Sequence, residues 1–386
     1  MTARATNTTM IYLDHNATTP PLPEVVEEIA RVSRDAFGNP GSRHAPGRAA
    51  RRVLETCRES LAALLGALPE EVLFTSGGTE ANNLALLGAT AGPPARLATT
   101  AGEHPSVWEP CRYRRGQGWG WDELQVDGEG VLLVEQSADL PWGDLRFAGV
   151  ILAHNETGVI QDISGLSDRC REHGVPLHLD AVQGVGRIPV DFHSLGAATL
   201  SLAAHKFYGP RGVGALLIRR GYRLSPLLHG GHQESERRPG TELVALVAGM
   251  TRALELFHRD REARTKHLRS LRDRLQFGLV TQCAPTVVNS AKAARLPNTL
   301  NIAFPGLDGE ALLVALDLEG ICCSLGSTCA SGSAEPAPAL VAMGCSPEVL
   351  RSSVRFSLGM GNSLTEIDDA ISRIVRVVAQ MRATVG

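Results

Sequence analysis

Glu71-Val72-Leu73-Phe74, followed by Ser76-Gly77-Gly78-Thr79-Glu80, passes from a short apolar run through paired glycines into a helical pattern that continues to about Leu87. Strand, glycine turn and helix in that order aim free backbone N–H groups at an anion. Similar apolar runs recur at Arg96–Thr99, Val131–Glu135, Phe147–Ala153, Leu177–Asp180, Ala197–Leu202 and Val213–Ile218. Helical periodicity marks Leu22 to about Asp35, Arg48–Leu65 and Ser164–His173, the first two parted by the turn-rich Phe37-Gly38-Asn39-Pro40-Gly41-Ser42. Short apolar strands alternating with helices predict an α/β fold with a mainly parallel sheet covered on both faces.

Beyond Thr241 the pattern changes. Helical spacing runs to about Leu275 and can carry the chain out of a large domain into a smaller one. There Thr299–Phe304, Cys322–Leu325 and Val354–Ser357 read as strands, and Gly309–Leu318 and Leu364–Met381 as helices. The expected organisation is an N-terminal segment 1–20 packing with the small domain, a large domain 21–250 and a small α+β domain 251–386. A chain of 386 residues is long enough for two cores.

Composition removes several classes of function. Lys and Arg total 38 against 41 Asp and Glu, so the net charge of −3 gives no global pull toward nucleic acid or anionic lipid. Aromatic residues are only 4%, too few for a base-stacking platform. No apolar run approaches the roughly 20 residues of a membrane helix. The polar, Thr-rich start from Met1 to Met10 lacks the apolar core of a secretion signal. The eight cysteines form no Cys-x-x-Cys pair, and the default is a reducing cytoplasm with free thiols.

Several clusters carry chemistry. His205-Lys206-Phe207-Tyr208-Gly209-Pro210 follows an apolar strand, which puts Lys206 at a strand end among glycines; beside an imidazole or partly desolvated, its amine would be less basic and could form a Schiff base. The plain reading is a surface loop. Leu177-His178-Leu179-Asp180-Ala181-Val182-Gln183 ends a buried strand in Asp180, where open α/β sheets bind ligands. That carboxylate is either a helix cap or the partner of a protonated pyridine nitrogen. With the Gly77-Gly78-Thr79 turn these residues complete a kit for pyridoxal phosphate: phosphate cup, Schiff-base lysine and ring-nitrogen partner. The turn lacks the nucleotide P-loop pattern and its lysine, which argues against ATP.

His104, after the strand Arg96–Thr99, could stack on an aromatic cofactor or relay protons. Asn155 in His154-Asn155-Glu156-Thr157-Gly158 either donates to a carboxylate or forms an Asx-turn. Arg355, alternating with apolar neighbours on a probable strand, suits capture of an amino-acid carboxylate, though a solvated strand face has the same pattern. Cys329 lies in the small, polar Gly326-Ser327-Thr328-Cys329-Ala330-Ser331-Gly332-Ser333, a poor place to bury a thiol and a good one for a nucleophile that must travel. Cys322 and Cys323, beside Ile321 and Leu325, read as core. Zinc held by cysteines 322, 323, 329 and 345 would need a spacing unlike the usual knuckles.

Taken together, these segments resemble a cysteine desulfurase of the NifS/IscS-like family, in the class V aminotransferase group of fold-type I pyridoxal-phosphate enzymes. The matching stretches are Tyr12-Leu13-Asp14-His15-Asn16-Ala17-Thr18-Thr19-Pro20, Phe37-Gly38-Asn39-Pro40, Ser76-Gly77-Gly78-Thr79-Glu80, Glu103-His104, and Asn155-Glu156-Thr157-Gly158. They continue with Asp180 and Gln183, His205-Lys206, Pro239-Gly240-Thr241, Gly326-Ser327-Thr328-Cys329 and Arg355-Phe356-Ser357-Leu358-Gly359. They keep family order over nearly the whole chain.

The resemblance implies a fold-type I transferase with a seven-stranded sheet flanked by helices, the cofactor in the large domain and the cysteine loop in the small one. It implies Lys206 as Schiff-base lysine, Asp180 at the pyridine nitrogen, His104 as stacked imidazole and proton carrier, and Gln183 on the phenolic oxygen. Gly78, Thr79 and His205 would hold the phosphate, joined by Thr241 from the second subunit of a homodimer. Asn155 and Arg355 would bind the carboxylate of L-cysteine, and Cys329 would take its sulfur as a persulfide for an iron–sulfur scaffold or tRNA-thiolation enzyme.

Two departures from the family stand out. Ala203 replaces the serine usual two residues before the histidine, which removes one phosphate contact. The chain also ends at Gly386, where IscS-type members continue into a tail that engages the scaffold protein. Rival readings on this scaffold are a selenocysteine lyase, a cystine C–S lyase, and an aminotransferase or epimerase; the last two need no nucleophilic thiol. A non-catalytic binding subunit is the remaining alternative, against which Lys206, Asp180, His104 and Cys329 stand together.

Overall fold

The computed structural model describes residues 9–325 and 337–385. The first strand, β1 (Ile11–Tyr12), lies outside the main sheet. That sheet has seven strands: β2 (Val72–Thr75), β3 (Arg96–Thr100), β4 (Gly120–Leu124), β5 (Leu145–Ile151), β6 (Leu177–Asp180), β7 (Thr199–Ala203) and β8 (Gly214–Ile218), in spatial order β2-β8-β7-β6-β5-β3-β4. Strands β3 to β7 pair in parallel, and β8 runs antiparallel to both β2 and β7.

The alternation of side chains along a strand explains the layering. Val72, Phe74, Ala215 and Leu217 enter one core with the helices Ala45–Leu64 and Val244–Arg259. Leu73, Leu216 and Ile218 point the other way, onto the helix Gly78–Ala89. Both faces are covered, so β2, β6, β7 and β8 are buried at every position.

A second large core collects Leu268, Leu271 and Leu275 of the helix Arg261–Gln282 with Leu300, Ile302, Val354 and Phe356. The last four lie on a small antiparallel sheet of β9 (Val287–Val288), β10 (Thr299–Ala303) and β12 (Ser353–Ser357); β11 (Ile321–Cys322) pairs in parallel with β1. Ile11 and Leu13 also belong to this second core. From there the N-terminal segment crosses to the other unit. Ser357 N donates to Leu13 O at 2.7 Å, and Thr19 N to His205 O at 2.9 Å, so residues 13–19 bridge the small sheet and the loop after β7.

Some elements differ from the sequence-based expectation. No strand forms at Val131–Glu135. Val126 and Leu132 make an isolated bridge, and Val134–Asp139 winds into a 3₁₀ helix. The seventh strand is instead Gly120–Leu124, an edge strand whose charges disguise it. Asp122 there accepts from Arg96 Nη2 at 2.6 Å, and Trp121 Nε1 donates to Thr99 Oγ1 at 2.9 Å. The helical run from Thr241 breaks into Val244–Arg259 and Arg261–Gln282. Cys322 and Cys323 are only half-buried, and Cys323 packs against the second core from its edge.

Gly186 shows how closely the sheet end and the Lys206 loop are fitted. Its φ is +76°, and an added Cβ would lie 2.2 Å from Phe207 Cβ. Gly186→Ala is therefore expected to cost at least about 2 kcal/mol, from backbone strain and overpacking together. A urea denaturation series that leaves the midpoint unchanged would contradict this.

Candidate active site

A cavity of about 430 Å³ opens where the parallel strands end. Ile151 closes β5, Asp180 closes β6 and Ala203 closes β7, and all three line it. A strand carboxyl end is where this architecture leaves backbone and side chains free for a ligand.

Lys206 follows β7 on a single 3₁₀ turn. Its Nζ donates to the carbonyls of Asn16 at 2.7 Å and Ala17 at 2.8 Å, both on the crossing N-terminal segment. Burial, reinforced by the cations Arg187 and Arg355, pulls the amine down to about 7, against the smaller opposing pull of Asp14 and Asp180. Arg187 is itself buried, and its guanidinium donates to the carbonyls of His15 and Gln183 at 3.0 and 3.4 Å.

Asp180 is held from two sides. Asn82 Nδ2 donates to its Oδ2 at 2.7 Å, and Val182 N to its Oδ1 at 3.0 Å. Asn82, on the helix Gly78–Ala89, also has its Oδ1 3.1 Å from Nε2 of His178, two residues before Asp180 on β6. His178 is driven down to about 4 by burial, so it is neutral.

The glycine turn opens that same helix into the cavity, with Gly78 and Thr79 in its wall. The first N–H groups of a helix have no partner within it. A Cβ at Gly78 would stand 2.7 Å from Val182 Cγ2, so the close approach requires glycine, and 3.6 Å from the methyl of Ala203. His205 Nδ1 lies 3.1 Å from Thr18 Oγ1, and burial with nearby Lys206, Arg187 and Arg211 lowers the ring to about 4. Gln183 makes one donor contact: its Nε2 donates to Asn16 O at 2.9 Å, and its buried Oε1 has no partner among the described residues.

Arg355 sits on β12 across the cavity. Its Nη2 pairs with Asp14 Oδ1 at 2.7 Å and its Nη1 donates to Asn155 O at 3.1 Å, while its buried Nε is unpartnered among the described residues. His104 caps the helix Pro105–Gly116, and Asn155 follows β5; both line the cavity. Thr241 is exposed and is not in that lining. Cys329 lies outside the described residues.

The orphaned buried atoms on Gln183 and Arg355, the open helix start and the softened amine of Lys206 fit an anionic, aldehyde-bearing ring such as pyridoxal phosphate. Sequence reasoning did not assign roles to Asn16, Asn82 or Ser106. Asn82 had one visible signal, a polar residue on the apolar face of a helix four positions after Gly78. Asn16 acts through its backbone, which no residue-type pattern reports.

Residues 11–369 match the aminotransferase class-V family. The chain belongs to that family. A cysteine desulfurase of Trichormus azollae is 41% identical over 376 residues, 97% of this chain and 94% of its own. A solved NifS-like protein superposes with a TM-score of 0.90 at 32% identity, covering 96% of this chain and 100% of that one. A structure described as SspA in complex with cysteine gives a TM-score of 0.79 at 30% identity over 90% of this chain and 98% of that one.

The lowered basicity of Lys206 is testable in this class-V protein without cofactor. The neutral amine is the nucleophile, so reductive alkylation of Lys206 should rise with pH and level off above about 7, where ordinary lysines are still almost wholly charged. Peptide mapping of the labelled sites across a pH series reads the profile; a rate that climbs toward pH 10 would remove the claim.

Proposed function

We propose that the protein is a pyridoxal-phosphate-dependent cysteine desulfurase that converts L-cysteine to L-alanine and carries the sulfur on Cys329. The observation that carries this reading is the convergence of a softened lysine, a braced aspartate and an arginine on one cavity, in a chain 41% identical to a cysteine desulfurase. A similar structure holding cysteine supports the substrate class.

Lys206 would hold the cofactor, Asp180 its pyridine nitrogen and Gln183 its phenolic oxygen, with His104 against the ring. Gly78, Thr79 and His205 would hold the phosphate, with Thr241 supplied by the second subunit of a homodimer. Pyridoxal phosphate, when bound, supplies an aldehyde for the substrate amine and a ring that accepts the electron pair released at Cα.

The chain's own groups do the rest. Arg355 and Asn155 would fix the substrate carboxylate, the Nε of Arg355 having no partner among the described residues. Lys206 Nζ takes the Cα proton. Its basicity, near 7, lets it both accept and return a proton at neutral pH. The Cys329 thiolate attacks the substrate sulfur, an S–S bond forms, and the Cβ–S bond breaks. Its electron pair stays on carbon; protonation of Cβ and return of a proton to Cα complete alanine.

Ser324 lines the cavity, and Cys329 follows five residues later in the sequence, a chain length that spans at most about 18 Å. Among the described residues all seven cysteines are free, which supports a reducing cytoplasm, and no helix there is long and apolar enough to cross a membrane. The persulfide would pass to an iron–sulfur scaffold or a thiolation enzyme.

Cys329→Ser should abolish persulfide formation while leaving the cofactor's visible absorption in place. Unchanged sulfur transfer by that variant would falsify the assignment. Ala203→Ser restores a hydroxyl beside the Gly78 turn, and one charge-assisted hydrogen bond is worth about 1.5–3 kcal/mol. Cofactor dissociation should then slow by about tenfold or more, read by absorbance during dialysis against a carbonyl trap.

A further inference from the structure

His104 is held by more than its place ahead of the helix Pro105–Gly116. The backbone N–H of Ser106 donates to His104 Nδ1 at 3.1 Å, and Ser106 Oγ lies 2.7 Å from the same nitrogen. A ring nitrogen that accepts a backbone N–H presents its lone pair and carries no proton. The hydroxyl must then be the donor in the second contact, and its oxygen is free to accept Asn82 Nδ2 at 2.8 Å.

The orientation of Asn82 is fixed in turn. Its Nδ2 also faces Asp180 Oδ2, and only the amide nitrogen can donate to a carboxylate. Hydrogen-bond direction is thus determined at each step from Asp180 through Asn82 and Ser106 to His104.

We propose that Ser106 is a positioning residue which, with Asn82 behind it, holds His104 as the neutral tautomer protonated at Nε2. In that state the imidazole can give a proton or hydrogen bond at Nε2 and can take none at Nδ1. Removal of the Cα proton then falls to Lys206, and His104 is confined to donation toward cofactor or substrate. This division of labour rests on the desulfurase reading; the tautomer itself does not.

The electrostatic setting agrees. Burial holds His104 below the ordinary histidine range. Asp180, at the end of β6, favours the charged ring and Lys206, after β7, opposes it. His154, after β5, is close enough to interact and is itself neutral, pushed to about 4 by burial. Glu103, the preceding residue, is turned away onto Thr100 Oγ1 and the N–H of Ile151. A donor aimed at Nδ1 stabilises the lone pair that protonation would consume, so deleting the Ser106 hydroxyl should make His104 more basic.

The test uses holoenzyme labelled with ¹⁵N-histidine, with the His104 signals assigned against His104→Gln. In the unaltered enzyme Nε2 should carry the proton and Nδ1 none across about pH 6 to 8. Ser106→Ala, in which the backbone N–H still reaches Nδ1, should keep that tautomer but give a titration midpoint at higher pH. The acid limb of kcat/KM should move the same way, with about a fivefold loss below the midpoint. Ser106→Thr, which keeps the hydroxyl, should restore both. A proton on Nδ1 in the unaltered enzyme overturns the proposal, and so does a Ser106→Ala enzyme whose ring titrates where the unaltered one does. Failure to release alanine from cysteine would instead remove the desulfurase reading and leave the tautomer result standing.

Discussion

The chemistry of this protein depends on keeping one amine out of water. Lys206 lies where residues 13–19 cross from the small sheet to the loop after β7, and the carbonyls of Asn16 and Ala17 take its hydrogens. Two carbonyl acceptors compensate a neutral amine well. They compensate a buried ammonium poorly, and Arg187 and Arg355 make the charged form worse still. The crossing segment is held at both ends, by Ser357 and by His205, so the environment of Lys206 is set by contacts reaching from residue 13 to residue 357. An amine tuned by both units of the fold senses how they are joined.

Around that amine the buried polar groups are arranged so that few charges remain. Glu103 and Glu156 are buried and raised to about 8, so both are neutral near pH 7. His154, His178 and His205 are lowered to about 4 and are neutral as well. Burial is the leading cause in every case. The charges left to act on a ligand are those with braced geometry: Asp180 between Asn82 and Val182, and Arg355 between Asp14 and Asn155. Fixed dipoles and few competing charges are what a site needs to direct electron flow through a bound ring.

Much of this was legible in the sequence because it follows from local pattern. Leu177–Asp180 and Gly309–Leu318 have the predicted bounds, since each combines clear periodicity with flanking turn residues. Gly120–Leu124 was missed because an edge strand with Asp122 and Glu123 lacks the apolar signature of the interior strands, and Val131–Glu135 was mistaken for a strand because four apolar residues in a row fit a strand or a turn equally well. Lys206, Asp180 and His104 were found as residue types at or just after strand ends, and Arg355 as an arginine alternating with apolar neighbours in mid-strand. The groups that orient them were not. Asn16 acts through a carbonyl, and Asn82 and Ser106 matter only because the folded chain brings them between Asp180 and His104.

The charge left in the cleft also bears on the order of events. Arg187 and Arg355 act on the amine more strongly than Asp14 and Asp180 oppose them, so an entering phosphate or carboxylate meets a net positive field there. Each anion that settles there weakens the repulsion that lowers Lys206, and so makes the amine a better proton acceptor than in the empty cleft. The same cations thus serve two phases. They keep the amine neutral and nucleophilic while the cleft is open. Once they are engaged by bound anions, Lys206 becomes more basic, which suits the proton transfer from carbon proposed for it.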